Sequence, residues 1–279
     1  MANVRWKQTT ATCGLHDKRT RKRKLMTRFG VCHLCGQTKR LSFEHVPPAA
    51  AFNDQRVLEA DIEKLIGGDL LRDLESPTGK YNQRGAGKYT LCEECNSTTG
   101  DWYAKAYIDF VRQLYPLCHS VPAGTTVTVE CSIQPLNVFK QMLVMFCSAS
   151  PPTFSHKHPK LVRYLLNRES RDADDQRVFV SLYDLANSRA ARQSGLTGRI
   201  DMSGSSHVYS EISFPPLNLV MSVSGGSPDR QLFEVTSFKN YAYKERAVVR
   251  LTLNNLAVNS YFPGDYRTVD ELKAAGNSS

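Results

Sequence analysis

The stretch Val31-Cys32-His33-Leu34-Cys35-Gly36, continued by Leu41-Ser42-Phe43-Glu44-His45-Val46-Pro47-Pro48 and later by Leu91-Cys92-Glu93-Glu94-Cys95-Asn96, decides how this chain is read. Two Cys-x-x-Cys pairs bring four thiolates to one point, the closed tetrahedral shell of a structural zinc site. We therefore expect Cys32, Cys35, Cys92 and Cys95 to bind one Zn²⁺. A closed shell leaves no position for a reacting water, so any chemistry belongs beside the ion. The long insertion between the pairs costs little, because each doubling of a loop adds only ~0.6 kcal/mol of closure entropy.

The other cysteines, Cys13, Cys118, Cys131 and Cys147, read as small core residues, although Cys13-x-x-His16 has the form of half a second zinc site. No apolar signal core follows Met1 and no stretch reaches the ~20 apolar residues a membrane helix needs, so a cytoplasmic protein outside the membrane is expected. The composition, 41% hydrophobic and 23% charged, fits a folded domain and excludes a disordered chain.

Charge is concentrated. The first fifty residues hold 11 basic and 2 acidic side chains, which accounts for the whole net charge of +9. This excess, including the run Lys18 to Lys24, lies beside the first cysteine pair and points to a polyanionic partner, because cations near phosphates release condensed counterions. Lys22, Arg23, Lys24, Lys39, Arg40 and Lys88 are the candidate phosphate contacts.

Residues 1–29 read as a basic arm. Leu41 to Val46 is expected as a strand stopped by Pro47-Pro48, Val57 to Leu74 as a helix broken at Gly67-Gly68, and Ser76 to Lys88 as a loop. Tyr89 to Leu91 reads as a strand entering the second cysteine pair, and the spacing of Trp102, Tyr103, Ala106, Tyr107, Phe110, Val111 and Leu114 predicts a helix over 99–117. Trp102, Tyr103 and Tyr107 are expected to pack under the knuckles. Beyond Ser120, strands are expected at 125–131, 178–183, 208–214, 217–224, 232–238 and 247–253, and helices at 136–146 and 160–167. The predicted fold class is α+β: a zinc-stabilised module over 30–117, then a mixed α+β domain over 120–279.

The order strand, insertion, strand, knuckle, helix, with Glu44-His45 closing the first strand and Asn96 following the fourth cysteine, resembles the HNH endonucleases of the ββα-metal fold. The resemblance covers roughly Val31 to Tyr107. It implies that His45 is the general base and that Glu44 and Asn96 hold one catalytic Mg²⁺ or Mn²⁺. The residue chemistry is compatible with each role: a neutral imidazole accepts a proton near neutral pH, and two oxygen ligands suit a hard divalent ion. Asn96 also has a plainer reading as a helix N-cap. His33 reads as a neighbour of the zinc ligands or a phosphate-facing group.

Where the family often carries a middle Asn that shapes the loop holding the base, this chain has Gly87; Asn82 is the nearest replacement. The Lys often found soon after the last cysteine pair is replaced by Thr99-Gly100, and Glu44 stands for the commoner Asp. The implied function is hydrolysis of phosphodiester bonds of nucleic acid, DNA before RNA, in bacterial or phage defence. Residues 120–279 would control activity or target through a ligand or protein, and a homodimer would cut both strands. The competing reading is a non-catalytic zinc-dependent nucleic-acid-binding protein, which has no need of Glu44, His45 and Asn96.

Overall fold

The computed structural model describes residues 28–59, 79–200, 204, 206–224 and 226–276. Lys22, Arg23, Lys24 and the Cys13-x-x-His16 motif lie outside them. The fold is mixed α+β, as the residue pattern predicts.

Three strands, β1 (Arg28–Val31), β2 (Thr38–His45) and β5 (Gly87–Cys92), form an antiparallel sheet in the order β1-β2-β5. Between β2 and β5 the pairing slips: Ser42 opposes Leu91, yet Glu44 opposes Lys88, so Tyr89 and Thr90 together face Phe43. Such a bulge bends the strand and re-aims its side chains, here next to Glu44 and His45. A two-stranded ribbon, β3 (Val57–Glu59) with β4 (Lys80–Asn82), fills part of the insertion. Val57 to Glu59 are thus strand and not the expected start of a helix. Apolar spacing does not locate a helix start, and ladder pairing with β4 outweighs local preference; the rest of that expected helix lies outside the described residues.

Cys92 ends β5 and caps the next helix, α1 (Glu93–Thr99), by accepting from the Cys95 backbone N–H. Glu93 and Glu94 occupy the first turn, where acidic groups complement the helix dipole. The helix therefore begins six residues before the expected Thr99, and Asn96 sits inside it, not at its N-cap. A π-helical turn over Gly100–Ala104 links α1 to α2 (Lys105–Leu114), and a short turn, α3 (Leu117–Ser120), follows. Tyr103 and Tyr107 are buried and Trp102 is half-buried.

The remainder is an eight-stranded mixed sheet. Its path is β6 (Thr126–Ile133), β13 (Ala247–Leu256), β7 (Arg177–Tyr183), β11 (Leu217–Ser224), β10 (Ser206–Phe214) and β8 (Arg192–Gln193). The short β12 (Phe233–Glu234) also pairs with β7, and β9 (Thr197–Ile200) with β10. Only the β13–β7 pairing is parallel among the described residues. The expected strand over 232–238 is cut short at Glu234 and continues as a 3-10 turn over Thr236–Asn240.

Helix α4 (Pro135–Ala149) is the hub. Every residue from Pro135 to Ser148 is buried, because a helix apolar nearly all round has to lie inside. It packs against the π turn, α2 and β5 on one side and against β10, β11 and the 3-10 turn on the other. One hydrophobic cluster accordingly runs from Cys32, Leu34 and Leu91 through Phe139, Met142 and Phe146 to Leu219 and Leu251. Cys118, Cys131 and Cys147 are buried within it, as expected.

Candidate functional site

The Cys32, Cys35, Cys92 and Cys95 sulfurs all lie within 4.8 Å of one another. The turns that carry them aim backbone N–H groups at sulfur: Cys92 N donates to Cys32 Sγ at 3.3 Å and Cys95 N to Cys92 Sγ at 3.5 Å. The Cys32 thiol is held down to about 4 by the Cys95 thiol and by backbone donors, while the Cys95 hydrogen bond to Cys32 and burial push Cys95 up. Four sulfurs this close form a possible metal site, and as thiolates they would suit Zn²⁺. His33 belongs to the scaffold: Nδ1 meets the Ser148 carbonyl at 3.2 Å and its own carbonyl accepts from Ser155 Oγ, so the first knuckle is fastened to α4.

Beside this cluster, Glu44, His45 and Asn96 line one open cleft of about 180 Å³ together with Pro48, Gly100 and Gln141. The three residues come from the end of β2 and the second turn of α1, which the bulge and the Cys92 cap bring to the same place.

Glu44 is only 6% exposed. Its partners are hydroxyls: Thr90 Oγ1 donates to Oε2 at 3.4 Å, with Ser148 in reach and itself 2.5 Å from Thr90 Oγ1. Burial pushes the carboxyl up to about 8, against the pull of those hydroxyls. A carboxylate removed from water without a counter-charge has a standing electrostatic demand for a cation. Asn96 turns Nδ2 to Ser42 Oγ (2.9 Å) and the Phe43 carbonyl (3.5 Å), which leaves Oδ1 as its acceptor. One carboxylate and one amide oxygen are the donor set a hard divalent ion takes, with waters completing the shell.

His45 Nε2 lies 2.6 Å from the Arg84 carbonyl. A carbonyl only accepts, so Nε2 carries the proton and Nδ1 is left as a base. The loop that carries that carbonyl is anchored two residues further on, at Ala86, by a buried asparagine the residue pattern did not single out. Asn53 donates from Nδ2 to Pro47 O (2.6 Å) and Ala86 O (2.7 Å) and accepts from Ala86 N at 2.7 Å. Asn82, the expected replacement for the middle Asn, accepts from the Arg84 N–H at 3.2 Å and donates to Glu59 Oε1 at 3.4 Å. Gly87 cannot become Asn, since a Cβ there would stand 2.3 Å from the Glu44 carbonyl oxygen. Gly85, at φ +85°, lies so close to Asn53 that a Cβ would meet its carbonyl oxygen at 2.0 Å. The preceding Phe52 is held at φ 67° and stacks on Tyr115, ring centroids 3.9 Å apart. A bulky residue in the left-handed region is strained and persists only where its surroundings impose it.

Lys39 and Arg40 are ion-paired across the knuckles with Glu94 (2.8 Å) and Glu93 (3.0 Å), whereas Lys88 is exposed on β5. Two further cations stand nearer the cleft. Arg84 lies over the Phe43 ring at 4.2 Å and Arg28 over Tyr89 at 4.4 Å, while Phe43 contacts both Tyr89 and His45 edge-on. The result is a row in which Arg28, Tyr89 and Phe43 lead to His45, with Arg84 over Phe43. Neither arginine carries a recognisable motif; the β2–β5 pairing brings Phe43 and Tyr89 together, while Arg28 comes from β1 and Arg84 from the turn before β5. No helix among the described residues is long and apolar enough to cross a membrane. No family model matches the chain, and neither a curated protein nor a solved structure does.

Proposed function

We propose that this chain is a metal-dependent endonuclease of the HNH type that hydrolyses phosphodiester bonds of DNA, with one structural Zn²⁺ on its four clustered cysteines. The observation that carries the proposal is the convergence of Glu44, His45 and Asn96 on one cleft beside those cysteines.

His45, its Nε2–H tied to the Arg84 carbonyl, takes a proton from water at Nδ1. The water oxygen bonds to phosphorus as the bond to the 3′ oxygen breaks, giving 5′-phosphate and 3′-hydroxyl ends. Glu44 and Asn96 Oδ1 would hold a Mg²⁺ or Mn²⁺ ion. When bound, such an ion supplies the charge that stabilises the crowded phosphate and the leaving oxygen. The arginine–aromatic row positions the strand by charge and stacking. Residues 120–279 control activity or target, a second copy of the chain supplies the cut on the other strand, and the setting is cytoplasmic defence in bacteria or phage; these last points follow the family analogy.

That same row would equally serve a protein that binds nucleic acid without cutting it, which is the second reading. Supercoiled plasmid, single-stranded DNA and RNA, each with Mg²⁺, Mn²⁺ or EDTA, separate the two. Cleavage that needs the metal is expected. Salt-sensitive binding with every substrate intact would favour the binding protein.

A further inference from the structure

On α4, Asn137, Gln141 and Ser148 are spaced by four and seven residues, which places them along one helix face. This polar stripe, with Lys140 beside Gln141, interrupts a helix that is otherwise apolar and is buried from Pro135 to Ser148. Its two outer members are spoken for. Asn137 Nδ2 donates to the Trp102 carbonyl at 2.9 Å and its Oδ1 accepts from Lys244 N at 3.0 Å; Ser148 Oγ meets Thr90 Oγ1 at 2.5 Å.

The middle member is not. Gln141 is 4% exposed, and its Oε1 is enclosed without a hydrogen-bond partner among the described residues. It lines the cleft with Glu44 and Asn96. An unpaired buried acceptor costs about 1–3 kcal/mol, so a chain that merely needed to fill this space would use Met or Leu. The cost is offset when the cleft contains a strong donor. Water polarised by a divalent cation is such a donor, and second partners of this kind commonly tune metal affinity 10–100-fold.

We propose that Gln141 is a positioning residue of the cation site: its carboxamide oxygen accepts a hydrogen bond from a water on the divalent ion that Glu44 and Asn96 hold. The proposal rests on the metal-dependent reading of the cleft. It makes the site a joint product of the knuckle module and the helix at the centre of the large sheet, so the ion is incomplete in its hydration contacts without α4.

Mn²⁺ titration followed by electron paramagnetic resonance on the full-length, zinc-loaded protein tests this, with Gln141→Met as the near-isosteric apolar variant and Glu44→Gln as control. The expected result is roughly tenfold weaker Mn²⁺ binding in Gln141→Met, together with an unchanged or higher melting temperature without Mn²⁺, because an unsatisfied polar group has been removed. Gln141→Glu, which keeps an acceptor, should restore binding. If Gln141→Met binds Mn²⁺ like wild type while Glu44→Gln does not, the assignment to Gln141 is wrong and the cation site stands. If wild type itself binds no Mn²⁺ in this cleft, the metal-dependent reading falls and takes the assignment with it.

Discussion

Glu44 in the knuckle module and Glu211 in the large sheet are both taken out of water, yet they are held in opposite ways. Glu211 is fully buried and faces Arg192, whose Nη2 donates to Oε1 at 2.7 Å; Gly264 N (2.6 Å), Tyr266 Oη (3.1 Å) and Ser213 Oγ supply the rest. Arg192 in turn donates to the carbonyls of Ser260, Phe262 and Asp265, so the pair fastens the loop after β13 to β10. Glu44 has hydroxyls and no cation. A buried carboxylate with its counter-charge in place is architecture, whereas one without it keeps its proton or, as we propose for Glu44, takes a cation.

Exchanging each for its neutral isostere breaks the comparison most directly. Glu44→Gln should lower metal-dependent cleavage at least 100-fold, measured as single-turnover plasmid nicking, without loss of fold. The metal-free protein should gain stability at alkaline pH. Its folded state holds the Glu44 proton up to about 8, while the unfolded chain releases it near 4.5, so wild-type stability falls as pH rises through that window and the variant is spared. Glu211→Gln should do the reverse, costing about 3–5 kcal/mol in urea unfolding by leaving the Arg192 charge buried without its partner.

Cys92→Ser should release the structural ion, seen as loss of zinc by mass spectrometry, while the serine hydroxyl keeps the N-cap of α1. Asn53→Ala should reduce cleavage about 10–100-fold while zinc content and Mn²⁺ binding persist, because the loop that presents the Arg84 carbonyl to His45 loses its anchor at Ala86. Lys140, deep in α4, marks the other extreme. Desolvation pulls its ammonium down to about 7, yet Nζ donates to the carbonyls of Tyr164 (3.0 Å), Asn167 (2.7 Å) and Arg168 (3.1 Å), which takes three protons and so the charged form. Lys140→Met should lower stability by about 2–3 kcal/mol in the same unfolding assay. Lys39→Ala should leave stability unchanged in the same assay, since its pair with Glu94 is solvent-screened.

How much of this could be read from residues alone follows the range of each interaction. The cysteine cluster, β2, β5, β10, β11 and α4 rest on local spacing and on period-two or period-3.6 patterns, which survive without tertiary context. Gathering Glu44, His45 and Asn96 was legible through motif order. Asn53 was not, because its partners Pro47 and Ala86 are set by the path of the insertion and nothing in Ala-Phe-Asn-Asp signals a buried amide. Gln141 was hidden for a related reason: a polar residue in a largely apolar helix looks like an exposed position until the helix is seen to have no exposed face. The early start of α1 was missed because a cysteine, not a serine or aspartate, provides the cap.

The central claim is that the cleft cuts phosphodiesters with His45 as base. The most direct measurement is Mg²⁺-dependent cleavage of one DNA substrate by wild type and by His45→Ala at equal zinc content, with the product ends identified. We predict 5′-phosphate and 3′-hydroxyl ends from wild type and at least a 100-fold slower rate from the variant. Equal rates from both proteins, or no metal-dependent cleavage by wild type, would contradict it.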